Sequence, residues 1–342
     1  MAEINAAFEV LSDPVRRMEY DYSIGQPVTL DPKQGVYGEV RPGFVQLRLL
    51  HRHRQHRTPV YSAAYDPAQN RLVTSSFDNV VRWWNSGSSS VERSIRLTGG
   101  VVNAIQPGRG DVLVATGSTE QSLFCWLVEG GEVSSWRVSP NSWVCTSVPS
   151  PDGKSLAVGS IDRVLRVFGV RDSQIQFTSF GHADSVTALA WSQDSSLLAS
   201  GSADASVRVW CGRTGAEMLR LDNVRSAVTA VAISSDKRWV AVAAVDFSVR
   251  VFDLRSGDLR HKFFGHTKPI ESLAFHPGNW LLASASRDGS LGLWNVEKGI
   301  GHGQIRASHQ ALLSLAFRND GRQIVSGGLD KVLRIWAVGS PD

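Results

Sequence analysis

"GHADSVTALAWSQDSSLLASGSADASVRVW" (181–210) holds most of the parts from which the fold can be read. "VTALAW" (186–191) reads as a strand and "SQDS" (192–195) as a turn. "LLASGS" (197–202) is a small, apolar second strand. An acidic turn at Asp204 leads into "SVRVW" (206–210), and "EMLRL" (217–221) supplies a fourth short strand. No segment of helical length and period interrupts them.

The same unit recurs along the chain. An acid stands six residues ahead of an aromatic at Asp78–Trp84, Glu120–Trp126, Asp162–Phe168, Asp204–Trp210, Asp246–Phe252, Asp288–Trp294 and Asp330–Trp336, and each acid follows the last by 42 residues. Turns fall in register with them at "DPAQN" (66–70), "PDGK" (151–154), "SSDK" (234–237), "HPGN" (276–279) and "NDGR" (319–322). Seven such units without drift form one repeat architecture. Four short strands per unit make a propeller blade, so the fold class is all-β, a seven-bladed β-propeller.

Composition agrees with a large core. The chain has 342 residues, 42% of them apolar and 20% charged, with a net charge of +4 that permits anionic partners without demanding them. Cys125, Cys145 and Cys211 form neither a disulfide framework nor a CxxC site, which points to a reducing, intracellular setting, cytoplasmic or nuclear. No apolar run is long enough to span a membrane, and the first residues do not read as a signal peptide.

The repeat resembles the WD-repeat family. The resemblance rests on "GH" at 181–182 and 265–266, on "SGSAD" and "SASRD" before the acid, and on Phe252-Asp253 and Trp294-Asn295, and it covers residues 43–338. It implies a buried polar chain in each blade, made of a loop His, a strand Ser or Thr, the turn Asp and the Trp indole. Four blades carry all four: His56, Thr74, Asp78, Trp84; His182, Ser200, Asp204, Trp210; His266, Ser284, Asp288, Trp294; and His309, Ser326, Asp330, Trp336. Such a network stiffens a blade when every member is paired. Four copies at repeat spacing are structural, not hydrolase triads. The blades at Glu120, Asp162 and Asp246 lack the His and are expected to be less rigid, or held by packing alone.

The ends of the chain are expected to close the ring. "FVQLRLL" (44–50) matches a fourth strand, which the last blade lacks, and pairing there removes an open edge. The domain layout expected is therefore a helical appendage at 1–22, a Pro- and Gly-rich link at 23–43, and the propeller at 44–338. In the appendage Ile4, Ala7, Phe8 and Leu11 form an apolar stripe, and Pro14 suits the first turn of a second helix. "FEVLSDPVRRMEYD" (8–21) resembles the end of a J-domain, the co-chaperone module, with Tyr20-Asp21 as its closing pair. The His-Pro-Asp motif that would engage a chaperone is absent from the sequence.

No Gly-rich phosphate loop, GxSxG or paired-carboxylate motif stands out, so no enzymatic activity, cofactor or metal is expected. Two surface features remain. "RLLHRHRQHR" (48–57) carries Arg48, Arg52, Arg54 and Arg57 among histidines, a basic segment fit for an acidic protein or for RNA. The rim residues just before each acid include Phe77, Ile161, Arg287 and Leu329, and Trp143 occupies a neighbouring loop. Large side chains at these positions suggest a contact patch. Trp143 has an alternative reading, as filler for the space of its blade's missing His. The function expected is a protein-interaction scaffold within a multi-subunit complex. The alternatives are a chaperone-linked adaptor whose full-length product has a complete J-domain, and an RNA-binding propeller.

Overall fold

The computed structural model describes residues 45–66, 71–85, 90–108, 111–119, 122–139 and 142–339. The helical appendage expected at 1–22 and the link at 23–43 lie outside them, as does Glu120. The described residues form seven four-stranded sheets, each a meander of antiparallel neighbours. The first blade comprises Val60–Tyr65, Leu72–Ser76, Val80–Trp84 and Val91–Arg96. The innermost strands of the next five are Val102–Pro107, Val144–Pro149, Val186–Trp191, Val228–Ile233 and Ile270–Phe275.

The seventh blade is assembled from both ends of the described chain. Its first three strands are Leu312–Phe317, Gln323–Gly328 and Leu333–Val338, and its outer strand is Leu47–His53. This strand runs three residues past the 44–50 segment marked in the sequence. A bulge between Leu49 and His51 resets the register, so Arg52 and His53 still pair with Arg334 and Leu333.

The core lies between blades. Val60, Leu72 and Trp84 of the first blade pack with Val325, Leu333 and Ile335 of the seventh, which closes the ring. The small run before each acid has a steric cause. A Cβ on Gly201 would stand 2.3 Å from Val228 Cγ1 of the next blade, and one on Gly327 would stand 2.6 Å from Val60 Cγ1. The equivalent positions 75, 117, 159, 243 and 285 hold Ser, Gly, Gly, Ala and Ala. The innermost strands surround a channel of 570 Å³ lined largely by small side chains such as Ala63, Ala188, Ala230 and Thr187.

Antiparallel pairing fixes where the loops go. The turn between a blade's second and third strands lies at the same edge as the connection that enters its first strand. Backbone hydrogen bonds tie the two together: the amide of Phe77 donates to Pro59 O at 3.2 Å, Ile161 to Trp143 O at 3.0 Å, Arg287 to Pro269 O at 2.9 Å and Leu329 to Ala311 O at 2.9 Å. These paired segments form one face of the disc, the upper face below.

Candidate functional site

Polar networks set the upper face. In the fourth blade Trp210 Nε1 donates to Ser200 Oγ at 2.8 Å, Ser200 Oγ lies 2.7 Å from His182 Nε2, and His182 Nδ1 lies 3.1 Å from Asp204. With the carboxylate accepting from Nδ1–H, the serine hydroxyl donates to Nε2, and donation runs unbroken from Trp to Asp. The Ala183 amide also donates to Asp204, at 2.7 Å, which fastens the loop to the turn. Burial pushes the Asp204 carboxyl up, but hydrogen bonds from Ser206 and Ala183 outweigh it and hold the group at about 2. The sixth blade repeats this arrangement with Trp294, Ser284, His266 and Asp288.

The first blade is wired differently. His56 Nε2 lies 2.8 Å from Thr74 Oγ1, which also accepts from Trp84 Nε1 at 2.8 Å. Asp78 does not reach the histidine. Arg82 stands between them, 2.6 Å from His56 Nδ1 and 3.3 Å from Asp78 Oδ2. A guanidinium only donates, so Nδ1 accepts and the tautomer is opposite to that of His182. Burial first, and then the Arg82 charge, lower the His56 pKa to about 4.

The seventh blade corrects the sequence reading. His309 is exposed, and its place is taken by Ser308, whose Oγ donates to Asp330 Oδ2 at 2.7 Å. The 22-residue interval from His56, His182 and His266 to their acids points to residue 308, one position before the histidine. Trp336 still donates to Ser326, at 3.0 Å.

Two of the three blades without a loop His are not held by packing alone. An arginine four residues after the acid takes over: Arg166 bonds Asp162 at 2.7 Å and Arg250 bonds Asp246 at 2.6 Å. The seventh blade adds the same tether, Arg334 to Asp330, at 2.6 Å. The recurrence of Arg at 82, 166, 208, 250 and 334 was visible in the sequence. In the fourth blade Arg208 pairs instead with Glu217 and donates to Gly181 O at 2.7 Å. In the second blade Trp126 donates to the backbone carbonyl of Thr98, at 3.0 Å, where other blades place the loop side chain.

On this scaffold stand the rim side chains. Phe77, Trp143, Ile161, Val245 and Leu329 are between 40% and 53% exposed. Trp143 thus leaves about half of its surface to solvent on this face. Arg287 is exposed and pairs with Glu271 at the channel mouth. Phe180 and Phe264, which precede the two Gly-His pairs, are 72% and 65% exposed on the outer edge of the same face, and the sequence reading passed over them. Arg48 and Arg52 lie on the outer strand of the seventh blade, whereas Arg54 and Arg57 lie in the connection at the upper face, and all four are exposed. The segment is thus divided between the disc's side and its upper face. Among the described residues, no group of three or more His, Cys, Asp or Glu side chains is placed to hold a metal ion, and no helix is long and apolar enough to cross a membrane.

The family model described as "WD domain, G-beta repeat" matches residues 47–85, 131–168, 173–211, 220–253, 257–295 and 302–337, well over half of the chain. The chain belongs to this WD40 family. The unmatched interval at 86–130 holds most of the second blade, whose Trp bonds a backbone carbonyl. The family model does not match residues 1–46, and nothing in the comparisons supports the J-domain reading of that segment. Among curated proteins the WD40 chain is similar to Echinoderm microtubule-associated protein-like 3 of Homo sapiens, with 28% identity over 40% of this chain and 16% of that protein. It is also similar to Protein SPA1-RELATED 3 of Arabidopsis thaliana, with 30% identity over 35% of this chain and 14% of the relative. A third relative is the U5 small nuclear ribonucleoprotein 40 kDa protein of Dictyostelium discoideum, with 30% identity over 35% of this chain and 34% of the relative. The chain thus spans about a third or less of the length of each.

Proposed function

We propose that this WD40 chain is a non-enzymatic protein-interaction scaffold, a subunit of a larger assembly, that engages partners through its upper face. The observation that carries this reading is the exposure of Phe77, Trp143, Ile161, Val245 and Leu329 on one rim. Small side chains satisfy the fold at equivalent rim positions, as Ala203 and Ala227 do, so the large ones are available for contact. A few buried anchors, Trp, Tyr and Arg above all, carry most of the energy of protein interfaces, which singles out Trp143 among these residues. The names of two relatives, one for association with microtubules and one for a ribonucleoprotein, agree with work inside assemblies.

The test compares the parent with a Trp143→Ser, Leu329→Ser variant and with a Lys154→Glu, Arg255→Glu variant on the opposite face. Each is immobilised, and the proteins retained from a lysate of the source organism are quantified. The rim variant is expected to lose the parent's specific set, by about 1–3 kcal/mol per anchor, while the opposite-face variant keeps it. Equal retention by parent and rim variant would place function elsewhere.

A further inference from the structure

The exposed charge described around the apolar rim is mostly cationic, and we infer that its ligand is an acidic peptide segment bearing bulky apolar side chains. This rests on the rim reading above and adds the chemistry of the partner.

In the turns and connections of the upper face Arg54, Arg57, Arg163, Arg225, Lys268 and Lys331 are exposed. The turn acids among the described residues are already engaged. Asp78, Asp162, Asp246 and Asp330 pair with arginines four residues on. Asp204 and Asp288 lie against His182 and His266 with only 11% and 10% of their side chains exposed. Asp222 is exposed but paired with Arg220, and Asp184 is exposed with its carboxylate turned to Ser185.

Cations and apolar groups are interleaved. Arg163 and Lys331 each stand two residues after a rim side chain, Ile161 and Leu329, and Arg57 lies two residues before Pro59, which holds the Phe77 amide. Arg163 and Lys331 occupy a positive-φ turn position that Asn79, Ala205, Phe247 and Gly289 fill in other blades, so the turn itself does not call for a cation. A peptide that sets Leu, Ile or Phe on the rim and Asp or Glu outside it satisfies both features. Phe77 and Trp143 can stack a base, but Ile161, Val245 and Leu329, the other three large rim side chains, are aliphatic and offer none, which favours a peptide over nucleic acid.

The test is a selection of random displayed peptides on the immobilised protein, followed by fluorescence titration of an enriched peptide at low and high salt. Enriched sequences are expected to combine Asp or Glu with large apolar residues. Binding should fall about tenfold or more with Arg57→Glu, Lys331→Glu and weaken as salt rises. An Arg163→Glu, Lys331→Glu pair serves as a second charge variant, and thermal melts confirm that each variant folds. Peptides that bind Trp143→Ser, Leu329→Ser as tightly as the parent would overturn the rim reading and this inference together. Rim-dependent peptides that are neutral or basic would overturn the inference and leave the rim reading standing. A labelled oligouridylate that binds the rim more tightly than any selected peptide would replace the peptide with RNA, and failure of any sequence to enrich would count against the inference as well.

Discussion

His56 and His182 occupy equivalent positions, yet their Nδ1 atoms play opposite roles, accepting from Arg82 in one blade and facing Asp204 in the other. The consequence is a pH dependence that can be signed. The His56 pKa falls from 6.5 to about 4 on folding, so the unfolded chain takes up a proton first as the pH drops. The stability it contributes is full above 6.5, is lost between there and 4, and amounts to roughly 3 kcal/mol. His56→Gln should flatten the decline of melting temperature between those pH values relative to the parent, and an unchanged slope would refute the assignment. Asp204 and Asp246, each held at about 2 against an ordinary 3.8, lose their contribution only at lower pH still. Arg250 supplies a second test. Its side chain is 4% exposed and bonds Asp246 and Ser248, so Arg250→Met should cost about 2 kcal/mol in a urea titration. A neutral effect would return that blade to packing alone. The sequence showed the acids and aromatics because every blade repeats them. It showed the recurring arginines but not their role, since an Arg on an alternating strand reads as a surface residue until the acid beside it is seen to cover it.

Among the elements, the outer strand of the seventh blade bears the most weight. Leu47 is 2% exposed and packs in a cluster with Leu312, Ile324 and Trp336, so the strand serves the core as well as the sheet. Leu47→Ala should cost about 2–5 kcal/mol, whereas Met218→Ala on the exposed outer strand of the fourth blade should change little. Similar melting of the two variants would mean that the ring is not closed through this strand. Four-strand meanders were legible from turn residues at regular spacing. The bulge at Leu49 and His51 was not, because its cause is the partner strand and not local composition. His309 failed for a related reason: residue type suggested a network member, whereas register, which the partner turn sets, selected Ser308.

At the scale of the molecule, closing the ring leaves two faces and a circumference, and it presents a pair of backbone segments from each blade on one face. The function proposed for this face is to bind a protein partner through its apolar rim. The most direct measurement is amide hydrogen exchange of the propeller with and without a partner purified on it. Slowed exchange is predicted in the segments around Phe77, Trp143, Ile161 and Leu329, with the turns around Asp152, Asp236 and Glu297 unchanged. Protection of those opposite-face turns, with the rim segments exchanging as in the free protein, would contradict the account.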